Sequence, residues 1–127
     1  MSKETNVLTV EEILKRKDFY KNRHKELHSL YLERLDTVVK YHIPDRAISM
    51  TSMGMGDDSA DPFIITQCLV EPNLQDENLL DEFGCKDTPL DIVEMLFTPG
   101  EIYFIAVSIL SSAGYNDKNT VIDDLKK

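Results

Sequence analysis

The chain has 127 residues, of which 42% are hydrophobic and 29% charged, and its net charge is −9. This length suffices for one domain with its own core, and the near-average composition excludes collagen-like, coiled-coil-only and wholly disordered chains. No apolar run approaches the ~20 residues of a membrane span, and residues 1–10 lack the pattern of a signal peptide, so we expect a cytoplasmic protein. The two cysteines, Cys68 and Cys85, fit a reducing compartment, where such residues act as small buried hydrophobes.

The charge is unevenly distributed along the chain. Residues 1–43 contain 9 Lys or Arg and 7 Asp or Glu, whereas residues 44–127 contain 5 and 16. Most of this surface would repel polyphosphate, so we expect no nucleic-acid partner and no membrane partner. The basic stretch 15–25 lacks a glycine-rich or aromatic platform and is interrupted by Asp18, which favours a solvated face.

The first predicted helix covers residues 10–16. Thr9 and Glu12 have the spacing of a capping box, in which each side chain binds the other residue's backbone N–H. Because charged residues dominate here, residues 1–26 are expected to pack only weakly.

Residues 27–43 fit both a helical stripe and two alternating strands, and we favour a β-hairpin because residues 38–43 are β-branched and aromatic. Pro44 follows this segment and restricts Ile43 to extended geometry. Asp36-Thr37 is a poor two-residue turn, which leaves a longer turn open. A hairpin closed at these two residues predicts three cross-strand pairs: Leu30 with Ile43, Leu32 with Tyr41, and Glu33 with Lys40.

Pro44 also opens a predicted short helix that extends to about Met53, with Asp45 near its positive end. Gly54 and Gly56 end this helix, and residues 54–60 form a mobile acidic loop.

The second half of the chain has regular helix signals. Three dipeptides, Asp61-Pro62, Thr88-Pro89 and Thr98-Pro99, each place a side-chain oxygen at an N-cap and proline at the first helical position. Gly84 and Gly114 stand where helices should end. The predicted helices are 62–70, 76–83, 89–97 and 99–113.

The predicted fold class is mainly α (α+β), with a C-terminal bundle of short helices and a small N-terminal β-hairpin. We expect one domain over residues 1–115, with the helical module at 61–114 and a flexible tail at 116–127.

No catalytic or metal-binding pattern is visible. The three histidines, His24, His28 and His42, lie in the N-terminal third, and neither cysteine has a CxxC partner. The acidic cluster of Asp57, Asp58 and Asp61 lacks EF-hand spacing. We therefore predict a protein that is not an enzyme and uses no cofactor or metal.

Three methionines lie close together near the glycine loop. Methionine side chains can adapt to varied apolar partners, although core packing is an alternative for Met50. The predicted partner-binding residues are Met50, Met53 and Met55, together with the aromatic residues Phe97 and Tyr103.

From residue 61 to residue 115 the chain resembles the XkdN-like tail assembly chaperones of long-tailed bacteriophages and prophages, and a prophage of a Gram-positive bacterium fits this resemblance. The matching segments are Asp61-Pro62-Phe63, Val70-Glu71-Pro72-Asn73-Leu74, Phe83-Gly84-Cys85, Leu96-Phe97, Pro99-Gly100-Glu101-Ile102 and Ala113-Gly114-Tyr115.

The resemblance implies a non-enzymatic protein of the host bacterial cytoplasm. Its partner would be the helix-rich tape measure protein, which it would keep soluble before the tail tube polymerises. The tail tube protein is a further possible partner, and homo-oligomer formation stays open.

Two other classes compete with this interpretation. A structural tail adaptor or completion protein would remain in the virion. A small regulator would bind DNA through residues 15–25 and would show a steep salt dependence.

Overall fold

The computed structural model describes residues 7–115 and has an α+β fold, which confirms the predicted class. Within this range no helix is both long enough and apolar enough to cross a bilayer. The described elements are α1 (Val10–Lys15), α2 (Lys17–Lys21), a 3₁₀ turn (Arg23–Lys25), β1 (Leu27–Leu32), β2 (Thr37–His42), α3 (Arg46–Gly54), α4 (Ala60–Cys68), β3 (Leu69–Glu71), α5 (Glu77–Glu82), α6 (Asp91–Leu96) and α7 (Pro99–Ser112). The predicted tail at 116–127 lies outside the described residues.

Residues 7–25 form a segment that we call the N-terminal arm. Thr9 caps α1, because its hydroxyl accepts a hydrogen bond from the Glu12 backbone N–H at 3.1 Å. The predicted helix 10–16 ends one residue early, since Arg16 leaves helical geometry at φ −113° and ψ 34° and α2 begins after it. Neither α1 nor α2 contains a buried residue.

The predicted hairpin is present as β1 and β2, so the helical alternative for residues 27–43 is excluded. Its predicted register is wrong: Leu30 pairs with Val39 and Leu32 with Thr37. Glu33 lies in the turn and does not pair with Lys40. Each residue of β1 therefore pairs with a residue of β2 four positions earlier in the chain than predicted.

The cause of this register is a turn over residues 33–36. Asp36 has a positive φ of 47°, its N–H donates to the Glu33 carbonyl at 3.1 Å, and its carboxylate accepts from the Tyr31 hydroxyl at 2.7 Å. Asp tolerates this left-handed geometry better than most residues. Because the slip is an even number of residues, each side chain keeps its expected face of the sheet.

A third strand, β3, was not predicted. The sequence predicts residues 69 and 70 at the end of a helix, whereas α4 ends at Cys68 and the chain extends along the second edge of β2. Leu69 pairs with Tyr41, and Glu71 pairs with Lys40. The free edge of β2 is a tertiary feature, so a local reading of residues 62–70 could not include it.

Two of the three predicted proline-associated caps are wrong. Asp61 lies inside the first turn of α4, whose N-cap is Ser59, because the Asp57 carboxylate binds the Ser59 N–H at 2.9 Å and turns the chain earlier. Thr88 precedes a turn in which its carbonyl accepts from the Asp91 N–H, so α6 starts two residues later than predicted.

The other helix starts follow ordinary capping rules. Asp45 is itself the N-cap of α3, accepting from the Ile48 N–H at 2.8 Å, so the helix begins at Arg46 and not at Pro44. Thr98 caps α7 as predicted and forms a full capping box with Glu101. The Thr98 hydroxyl accepts from the Glu101 N–H at 3.2 Å, and the Glu101 carboxylate accepts from the Thr98 N–H at 2.9 Å.

The core is centred on α4, which packs against α3, α6 and α7. Both cysteines are fully buried, as expected, and burial together with the charge of Asp45 raises the pKa of Cys68 to about 12. The buried apolar residues are Leu32, Val39, Tyr41, Ile64, Ile65, Cys68, Leu69, Leu74, Leu80, Cys85, Ile92, Val93, Phe97, Ile105, Ala106 and Ile109.

An ion pair joins the hairpin turn to the start of α7. Arg34 donates to both carboxylate oxygens of Glu101, at 2.8 and 2.9 Å, and also to the Leu96 carbonyl at 2.9 Å. Bidentate contacts of this kind are among the stronger polar interactions in proteins. The Arg34 guanidinium, assisted by the Thr98 backbone N–H, lowers the pKa of Glu101 from 4.5 to about 2.

We predict that Glu101→Gln lowers the melting temperature most at neutral pH. The stabilisation from the Glu101 charge is complete above pH 4.5 and is lost as the pH falls through about 2. The difference between wild type and variant, followed by circular dichroism, should therefore shrink over that interval. A difference that stays constant with pH would contradict the assigned ion pair.

We also predict opposite effects for alanine at two glycines. Gly84 ends α5 at φ +69°, where a side chain is strained, although a Cβ there would meet no atom within 4 Å. Gly84→Ala should cost about 1 kcal/mol, whereas Gly100→Ala, in the first turn of α7, should stabilise by about 0.5 kcal/mol. Urea unfolding measures both, and equal signs would contradict the assigned geometry.

Candidate partner-binding surface

α7 has apolar side chains on two faces. One face carries Ile105, Ala106 and Ile109, which are buried in the core. The opposite face carries Tyr103, Phe104 and Val107, which are 67%, 47% and 41% exposed. Their spacing of one, three and four residues places them together on one side of the helix, and we call them the α7 stripe.

The α7 stripe is supported by a well-anchored helix. α7 packs against α4 and α6. Tyr41 on β2 donates its hydroxyl to the Ser108 carbonyl at 3.3 Å, and the Arg34–Glu101 ion pair holds the first turn. Contacts along the length of the helix therefore fix the orientation of the stripe, which limits the entropy lost when a partner binds.

A groove of about 520 Å³ lies beside the stripe, between the hairpin and the start of α7. Gly100 leaves open space in its wall, since a Cβ there would contact nothing within 4 Å. The polar groups Arg34, Glu101 and Thr98 already bind one another. The arrangement suits insertion of an apolar side chain beside Phe104. The lining residues are Tyr31, Leu32, Glu33, Arg34, Thr98, Gly100, Glu101 and Phe104.

The methionines predicted to bind a partner lie on a different element. Met50 and Met53 are one turn apart on α3 and are 56% and 48% exposed, which rules out the core alternative for Met50. Met55 follows the helix and is half-buried. None of these methionines lines the groove beside α7. The exposed apolar residues of α3 and those of α7 therefore form separate surfaces.

Of the two predicted aromatic residues, only Tyr103 is on the surface. Phe97 is 6% exposed and belongs to the core, so the expectation that it is a spare surface ring is wrong. Phe97 lies between α6 and α7, and its N–H donates to the Val93 carbonyl at 3.0 Å, as in a continuation of α6.

Sequence reasoning missed Phe104 and Val107. The sequence pattern already gave α7 one complete apolar face for the core, so no second face was predicted. The apolar residues outside that face could have indicated a second surface, because a helix with apolar residues on all sides needs neighbours on more than one side. Tyr31 was missed as well, since its place beside the groove depends on how the hairpin meets α7.

A second cleft, of about 390 Å³, is acidic. Its lining includes four carboxylates, those of Asp57, Asp58, Asp61 and Glu94. Burial raises the pKa of Asp61. Across residues 7–115 no group of three His, Cys, Asp or Glu side chains is placed to hold a metal ion. The other lining residues are Ala60, Pro62, Phe97, Pro99 and Ile102.

Comparison with known proteins identifies one family. The family model described as phage XkdN-like tail assembly chaperone protein (TAC) matches residues 4–126 of the chain. Neither the curated proteins nor the solved structures give a match. Since the family model covers nearly the whole sequence, the chain belongs to the XkdN-like phage tail assembly chaperone family.

Proposed function

We propose that this tail assembly chaperone binds the tape measure protein of its phage in the host cytoplasm and keeps it soluble until the tail tube polymerises, without catalysing a reaction. The observation that carries the proposal is the α7 stripe. Tyr103, Phe104 and Val107 lie together on one side of α7, and each is at least 41% exposed. Contiguous exposed apolar residues on a folded domain are typical of sites for other polypeptides.

The geometry of the surface suits an amphipathic helix. Such a helix presents apolar side chains every three or four residues, which matches the spacing of the stripe. The groove beside Phe104 could receive one protruding side chain of the partner, next to the Arg34–Glu101 pair.

The expected affinity is moderate. Complete withdrawal of a large side chain from water contributes about 1.5–3 kcal/mol. Phe104 and Val107 are only 47% and 41% exposed, so each can contribute about half of that. A surface of this size favours reversible binding, as a chaperone that must release its client requires.

The charge distribution supports the same role. Residues 44–127 contain 16 Asp or Glu against 5 Lys or Arg. A complex with this excess of negative charge repels its own copies and so resists aggregation while the client's apolar surface is held.

The exposed methionines supply a second contact in this proposal. Met50 and Met53 lie on one face of α3, and their flexible side chains can adapt to different partner surfaces. Together with Tyr103 they are the surface residues that the sequence assigned to partner binding.

Co-expression tests the proposal directly. Overlapping segments of the adjacent tape measure protein should be insoluble alone and should become soluble and co-purify with this protein. If no segment is captured, or if the protein is found stoichiometrically in purified virions, the proposal is wrong. The second outcome would identify a structural tail adaptor or completion protein.

We predict that Phe104→Ser weakens capture of a bound segment by roughly three- to tenfold, because it removes an apolar contact worth about 0.75–1.5 kcal/mol. Phe83→Ser is the matched control, since Phe83 on the surface near α5 is 42% exposed and lies outside the stripe. Isothermal calorimetry measures both. Equal affinities for the two variants would exclude the α7 stripe as the binding surface.

For the methionines, we predict that Met53→Glu weakens capture without changing the melting temperature by more than a few degrees. The side chain is 48% exposed, so a charge there is solvated in the free protein and desolvated in the complex. Unchanged affinity would remove α3 from the binding surface while leaving the α7 stripe in place.

A further inference from the structure

A third cleft, of about 380 Å³, lies where the N-terminal arm, the start of α3 and the end of α7 meet. Arg23 of the arm and Arg46 of α3 both line it. Within residues 7–115 neither arginine has a carboxylate within ion-pair distance. Two guanidinium groups without an anionic partner in this range therefore line one cleft.

A buried hydroxyl in the lining of this cleft also lacks a partner. Ser49 of α3 lines the cleft and is 1% exposed, and its Oγ forms no hydrogen bond within the described residues. Ser52, the other buried serine of α3, donates its hydroxyl to the Ala60 carbonyl at 3.3 Å. Buried polar groups are nearly always hydrogen-bonded, and a serine hydroxyl can rotate towards an acceptor that enters from outside. The exception at Ser49 therefore indicates a ligand that accepts a hydrogen bond.

The other lining groups limit the charge of that ligand. Asp45 lines the same cleft, although its carboxylate also caps α3 by accepting from the Ile48 N–H at 2.8 Å. The cleft lies beside Ala113, at the negative end of the α7 dipole. Two guanidinium charges against one carboxylate leave a formal charge of +1 in the lining. This balance suits a carboxylate, with its single negative charge, better than a phosphate dianion.

The exposed face of α3 begins at this cleft. Arg46, Met50 and Met53 are separated by four and three residues, so they share one face of the helix. All three side chains are exposed. A partner helix that packs on the two methionines can therefore place a side chain one turn further along, at Arg46.

We propose that the cleft is a carboxylate-binding site and that it receives an Asp or Glu side chain of the tape measure helix that packs on Met50 and Met53. The carboxylate pairs with the two guanidinium groups and accepts a hydrogen bond from the Ser49 hydroxyl. The identity of this partner rests on the proposed function, whereas the chemistry of the cleft does not. The client segment is therefore expected to combine apolar residues with an acidic residue about one helical turn away.

Titration with sodium acetate tests the cleft without any client. Acetate should shift the backbone NMR signals of residues 45–49 more than sodium chloride does at the same ionic strength, and Arg46→Gln should abolish this difference. The matched control Lys86→Gln removes a positive charge outside the cleft and should respond as wild type does. Equal shifts from acetate and chloride would overturn the proposal. Tighter binding of inorganic phosphate than of acetate would also overturn it and would indicate a phosphate site.

Calorimetry with a captured tape measure segment tests the occupant. Arg46→Gln should weaken binding by about tenfold and Ser49→Ala by about threefold, as expected for the loss of a charged and of a neutral hydrogen-bond donor. Replacing the acidic residue of the segment by its amide should also weaken binding to wild type by about tenfold. The same replacement should add little to the loss caused by Arg46→Gln, because two changes within one contact are not additive.

The two buried serines separate binding from stability. Ser49→Ala should lower affinity without lowering the melting temperature, since the hydroxyl that it removes has no partner in the free protein. Ser52→Ala removes a hydroxyl that is hydrogen-bonded, so it should lower the melting temperature and leave affinity unchanged. If segments are captured but bind wild type, Arg46→Gln and Ser49→Ala equally well, the inference is wrong and the proposed function stands. If no segment is captured, the proposed function and the assigned client are both wrong, whereas the acetate titration still decides whether the cleft binds carboxylates.

Discussion

α4 and α7 bury each other's apolar side chains, and the rest of the fold is arranged around this contact. α4 is apolar on most of its surface, so it needs neighbours on several sides, and α3, α6 and α7 supply them. The same contact divides the apolar residues of α7 into a buried set and an exposed set. The proposed binding surface is therefore a direct consequence of how the core is packed.

The hairpin makes the second important contact with α7. Arg34 in the turn reaches Glu101 and the Leu96 carbonyl, which holds the turn over the start of the helix. That position forms the groove beside Phe104. Arg34, in the turn of the hairpin, thus helps to shape the groove beside α7, although the two elements are far apart in the sequence.

Charge divides the described chain into a basic N-terminal arm and an acidic remainder. The excess of negative charge on this remainder opposes aggregation through the exposed α7 stripe, because like charges repel one another. The arm is basic, and neither of its two α-helices, α1 and α2, contains a buried residue.

Patterns within a few residues of one another were sufficient for much of the fold. The Thr98 capping box, the Gly84 helix end and the two faces of the hairpin were all predicted, because each depends on local backbone geometry or on the alternation of side chains along a strand. The prediction of a cap at Asp61 was wrong because Asp57, four residues earlier, accepts a hydrogen bond from the Ser59 N–H and turns the chain there. The predicted exposure of Phe97 was wrong because a ring between two helices can turn towards the core or towards solvent, and the local sequence does not distinguish the two orientations.

The sequence by itself determined the family, the α+β class, the positions of most helices and the asymmetry of charge, since these depend on composition, short-range pattern and the order of motifs. Only the tertiary structure decided the register of the hairpin, the existence of β3 and the exposure of Tyr103, Phe104 and Val107. Each of these depends on contacts between residues far apart in the chain: the turn with α7, β3 with the free edge of β2, and α7 with α4. Such contacts form only when the whole core assembles, and no local pattern specifies them.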